Sequence, residues 1–101
     1  MKDENLKEND RKMQDSIKSQ DVPKFYFNGF IMASGPGDVV ITLLRNNEPI
    51  AVLNTSYTVS KTMAIKLNNM INALEESTEN KIMTTDFIHE KLMKGIKNAT
   101  K

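Results

Sequence analysis

His89 is the chain's single histidine, and there is no cysteine. A histidine-dependent triad, a pair of imidazole metal ligands and a thiolate site therefore all lack parts. Glu75, Glu76 and Glu79 would bind a cation only if further oxygens converged on them, and solvated carboxylates near a helix end explain them as well. Gly35-Pro36-Gly37 has the composition of a phosphate cradle. No Gly-Lys-Ser/Thr follows it, and the next element reads as a strand, so the segment is expected to be a hairpin turn. Ser34, Ser56 and Ser60 have no neighbouring base that would make one of them a nucleophile. The expectation is a protein that is not an enzyme, with no catalytic residue, no metal and no cofactor.

Recognition chemistry is the remaining possibility. Lys91, Lys94, Lys97 and Lys101 recur at helical steps and could meet phosphates, but they also suit the C-terminal end of a helix. Tyr26, Phe30 and Tyr57 could stack on bases, yet no Arg or Lys is interleaved with them on the strands, which favours a packed or self-associating surface. With Met32 and Arg45, these three aromatic residues make up the candidate interaction set: Tyr26, Phe30, Met32, Arg45 and Tyr57.

The elements that would position them are legible from residue type. Phe25 to Ala33 is aromatic and branched, the composition of a strand. By alternation Phe25, Phe27, Ile31 and Ala33 share one face, while Tyr26, Asn28, Phe30 and Met32 share the other. Gly29 suggests a bulge or a close backbone approach. Ser34 to Asp38 turns the chain into a second strand, Val39 to Leu44. Arg45-Asn46-Asn47-Glu48-Pro49 turns it into a third, Pro49 to about Thr55. These short links predict an antiparallel meander. Ser60 is a candidate N-cap for a helix whose Met63, Leu67, Met70, Ile71 and Leu74 form an apolar stripe, expected to pack on the meander. Thr85 or Asp86 can cap a second helix, Phe87 to Lys97.

Lys plus Arg is 14 and Asp plus Glu is 13, so overall charge gives no pull toward nucleic acid or an anionic membrane. Residues 1 to 21 are polar, with only Leu6, Met13 and Ile17 as large apolar side chains between Met1 and Val22. They read as a flexible charged tail, with a disordered chain preceding Pro23. Residues 22 to 101 are expected to form one small α+β domain. No apolar run is long enough to act as a signal core or to cross a bilayer, so the expected location is the cytoplasm.

Tyr26-Phe27-Asn28-Gly29-Phe30, a following strand ending in Leu43-Leu44, the strand Ile50-Ala51-Val52-Leu53, and Ser60-Lys61-Thr62-Met63-Ala64-Ile65-Lys66-Leu67 leading to Leu74-Glu75 form a longer pattern. Over roughly residues 26 to 76 it resembles a family of short bacterial proteins of unknown function, built as a meander followed by one long helix. The resemblance implies that fold and carries no activity, cofactor or site residue.

The strands are apolar on both faces, and one helix covers only one of them. The leading expectation is therefore an interaction or assembly module that forms a homodimer, or a higher oligomer, through an apolar sheet face. Its tail or C-terminal helix would be available to another protein. One alternative is a dimeric strand-helix-helix DNA-binding regulator, in which Asn54, Thr55 and Ser56 would face base edges; the near-zero net charge argues against nucleic acid. Another is a small inhibitor or ligand-sequestering protein of a mobile element, with a pocket around Tyr26, Phe30 and Arg45.

Overall fold

The computed structural model describes residues 2–99. The order of elements is α1 (Lys2–Lys18), β1 (Gly29–Ser34), β2 (Asp38–Arg45), β3 (Glu48–Ser56), α2 (Tyr57–Thr78) and α3 (Thr85–Ala99). The α+β class is as expected: the three strands form one sheet in the order β1-β2-β3, with β1 antiparallel to β2. The chain divides into two compact units, residues 1–55 and 56–101.

In the first unit the N-terminal segment departs from expectation. It is a 17-residue helix rather than a disordered tail. Lys, Glu, Arg, Gln, Leu and Met, all good helix formers, dominate it, and it contains no Gly or Pro. Mixed-sign neighbours such as Glu8 and Arg11, 3.9 Å apart, add a little. A helix satisfies its backbone without tertiary burial, so low hydrophobicity does not by itself forbid one. Leu6, Met13 and Ile17 remain exposed. Beyond α1, the Lys24 ammonium donates to the Ser19 and Val22 carbonyls and closes the turn that leads to Pro23.

The ladder begins later than the aromatic run predicted, at Gly29 rather than Phe25. Gly29 faces Leu44, and the Asn28 N–H also donates to the Leu44 carbonyl at 3.0 Å. Two residues of one segment thus meet one residue of β2, the arrangement of a β-bulge. A Cβ built on Gly29 would sit 3.6 Å from the Leu44 Cβ, an ordinary contact, so crowding against Leu44 does not require glycine there. Because the ladder begins at Gly29, the alternation that was to place Tyr26 beside Phe30 does not reach Tyr26.

Asn28 then reaches the next turn. Its Oδ1 accepts from the Asn46 N–H at 2.9 Å, and its Nδ2 donates to Asn46 Oδ1 at 2.9 Å. Asn46 and Asn47 have φ of 51° and 72°, the left-handed pair a two-residue hairpin requires and asparagine tolerates. The Gly35-Pro36-Gly37 link is a turn, as expected, closed by a 2.8 Å bond from the Gly35 N–H to the Asp38 carbonyl. Ile41 and Leu43, on the central strand, are 8% and 6% exposed and are the buried apolar residues among those described.

In the second unit the N-cap of α2 lies four residues before the predicted one. Ser56 is the N-cap: its hydroxyl accepts from the Val59 N–H at 3.1 Å. Ser60 lies inside the helix, where its hydroxyl donates to the Ser56 carbonyl at 2.9 Å. Ser56 won because it sits where strand geometry ends, whereas Ser60 already lies in the first turn. Glu79, at φ 57°, ends α2 in the left-handed conformation, and its N–H donates to the Glu75 carbonyl. The Glu75 carboxylate accepts from the Ile82 N–H at 2.8 Å and lies 3.9 Å from the Lys81 ammonium. One side chain thereby ties the connector to the end of α2. Thr84, a position before the predicted caps, caps α3 by accepting from the Phe87 N–H at 3.1 Å.

Candidate functional site

Residues opposite one another in an antiparallel ladder point to the same face. The observed register pairs Phe30 with Leu43 and Met32 with Ile41. One face of the sheet therefore carries Phe30 and Met32 beside the two buried residues of β2, with Arg45 on the same side at the strand's end. Counting from the two-residue turn, Ile50 and Val52 of β3 fall on that face too. Ile31 points the other way, paired with Thr42.

The face is greasy but uncovered toward β1. Phe30 is 56% and Met32 59% exposed, and Val52 is similarly open. The opposite face also leaves Ile31 and Leu53 in water, so the expected surplus of apolar strand surface is present on both sides. At the end of the ladder, Arg45 is exposed.

Of the five residues singled out in the sequence, the structure joins Phe30 and Met32 on one patch and puts Arg45 at its margin. Tyr26 lies before the ladder, 73% exposed. Tyr57 is the first residue of α2 and belongs to the second unit. Sequence reasoning passed over Asn28 and Asn46 as a pair. Eighteen residues separate them, so only the fold brings their amides together.

Nothing in the other candidates converges on chemistry. Ser56 is engaged as a helix cap, which occupies one of the groups weighed as a base-edge reader. His89 is exposed. The Lys91 ammonium stands 5.4 Å from the centre of the Phe87 ring, a contact within α3. Lys101, counted with the basic run, lies outside the described residues. Among the described residues no group of three or more acidic or histidine side chains is placed to hold a metal, and no helix is long and apolar enough to cross a membrane.

α2 presents a second apolar surface. Val59, Met63, Leu67, Met70 and Leu74 are each close to half exposed or more, and no residue of the helix is buried. Its charges run against its own dipole. Lys61 and Lys66 lie in the first half, and the last turn carries Glu75 and Glu76 with no basic residue. A helix by itself favours the reverse, acids at its N-terminus and bases at its C-terminus.

No protein family matches this chain, and no curated protein or solved structure does so either.

Proposed function

We propose that the chain is a non-enzymatic assembly module that works as a homodimer, with a second copy covering the sheet face that carries Phe30 and Met32. The observation behind this reading is the exposure of those two side chains beside the buried pair Ile41 and Leu43. Phe30, Met32 and Val52 each leave on the order of 100 Å² in water. Covering them in both copies removes about 600 Å² of apolar surface, a gross gain of roughly 15 kcal/mol at 25 cal/mol per Å². Association itself costs about 4–15 kcal/mol, so the balance allows a stable pair. Apolar atoms make up a little over half of an interface, so 600 Å² corresponds to about 1,000 Å² in all, the lower bound for a specific contact.

A homodimer fits better than a foreign partner because the patch has little net charge to complement: its charged neighbours, Arg45 and Glu48, are of opposite sign and flank the hairpin turn at the margin. The edges suit this arrangement as well. β1 is only six residues long and β3 carries Pro49, features that discourage uncontrolled pairing at the edges. The test is the mass of the wild-type chain by light scattering across a dilution series. The expected result is twice 11.5 kDa down to low micromolar concentration; a folded monomer at high micromolar concentration rejects the reading.

A further inference from the structure

We infer that α2 pairs with the α2 of a second copy, antiparallel, about a twofold axis level with Asn68 and Asn69. The stripe dictates the register. Ser60, Met63, Leu67, Met70, Leu74 and Ser77 follow one another at steps of three, four, three, four and three, an order that reads the same in both directions. Antiparallel pairing about the midpoint sets Leu67 against the partner's Met70, Met63 against the partner's Leu74 and Ser60 against the partner's Ser77, the layering of an apolar two-helix seam. The terminal serines fit an apolar seam because each hydroxyl already donates to a carbonyl of its own helix, Ser60 to Ser56 and Ser77 to Leu74.

Charge selects the orientation. Lys61 and Glu75 lie on the same flank of the stripe, fourteen residues or nearly four turns apart. Antiparallel pairing brings Lys61 level with the partner's Glu75 and Glu76, whereas parallel pairing stacks bases on bases and acids on acids. Lys66, on the other flank, lies nearest the partner's Ala73, and the partner's own Lys66 is five residues, about 7.5 Å, away along the axis, whereas parallel pairing would set the two level. The reversed polarity of α2 relative to its own dipole acquires a reason, since each end then lies beside the oppositely charged end of its neighbour. The same chain's α3 is a poor cover. Asp86 and Glu90 lead it and Lys91, Lys94 and Lys97 close it, so a hairpin with α2 would set acids against Glu75 and Glu76, and bases against Lys66. The exposed stripe agrees: α3 leaves it uncovered.

This pairing rests on the sheet-face dimer, whose second copy supplies the partner helix, and is too weak to hold two copies together without it; its test nonetheless reads α2 alone. The chain has no cysteine, so introduced thiols report without background. A tagged Met63→Cys chain and an untagged Leu74→Cys chain are mixed, equilibrated under reducing conditions and then oxidised. The mixed disulfide is expected as the main product. Predominance of the two homodisulfides would show a parallel pair, and absence of any cross-link in folded protein would show that α2 is unpaired; either result overturns the inference. Should either variant lose helix by circular dichroism, nitroxides on Thr62→Cys leave the stripe intact. In the antiparallel pair Thr62 is level with position 75 of the other copy, so the two labels stand about 20 Å apart along the helix axis. Labels at one level, or no measurable pair, contradict it.

Discussion

Replacing Phe30 and Met32 together by lysine is expected to turn the dimer into a folded monomer, raising Kd about a thousandfold or more. Each side chain leaves on the order of 100 Å² uncovered in the single chain, so two positions in two copies account for about 400 Å² of the interface. Even at less than half the transfer value the loss is roughly 4 kcal/mol, and every 1.4 kcal/mol is a factor of ten. The introduced ammonium groups add to it, because facing copies would bring them together in a dry contact. Within one chain the change is tolerated, since both positions are more than half exposed and a lysine stem can lie over the sheet with its charge in water. Sedimentation equilibrium measures the Kd, and circular dichroism checks that the strands persist. Tyr26→Lys is the control: Tyr26 lies outside the ladder, and its replacement is expected to leave the mass unchanged. A double variant that stays dimeric at the wild-type concentration would count against the sheet-face interface.

Leu43→Ala is expected to have the largest effect on folding. Leu43 sits on the central strand opposite Phe30 and is 6% exposed, one of the two buried apolar residues among those described. Truncating a buried leucine typically costs about 2–5 kcal/mol, part transfer and part cavity. A core this small rarely supplies more than about 3–5 kcal/mol in total, so the substitution removes most or all of the stability of the sheet. Urea unfolding followed by circular dichroism gives the difference directly. A loss below about 1 kcal/mol would mean that the β2 core contributes far less than its burial implies.

The two variants separate what the sequence disclosed from what it hid. The strands and the helices after them were legible because branched and aromatic runs are punctuated by Pro36, by Asn46-Asn47 and by recurring apolar positions in α2. The patch was half legible. Phe30 and Met32 follow from simple alternation, but alternation failed at Tyr26 because the strand begins only at Gly29. Glycine hinted at the bulge; its pairing partner, Leu44, could come only from the register.

The start of α2 was misplaced for a local reason. Ser56 and Ser60 are both competent caps, and the choice falls to where β3 stops, which residue type does not state. Residues 2 to 18 were misread because low hydrophobicity argues against a buried core and was taken to argue against a helix. The charge reversal along α2 was written in the sequence throughout. It acquires meaning beside the exposure of the apolar stripe along the same helix.

The central claim is that a second copy lies on the sheet face and stabilises the folded chain, so stability grows with concentration. Thermal unfolding of the wild-type chain over a hundredfold range of concentration tests this most directly. Mass action then adds about 2.7 kcal/mol across the range, and at 4–8 °C per kcal/mol for a domain of this size Tm is predicted to rise by on the order of 10 °C. A Tm that stays constant to within about 1 °C would show that no second copy stabilises the folded chain, and would contradict the account.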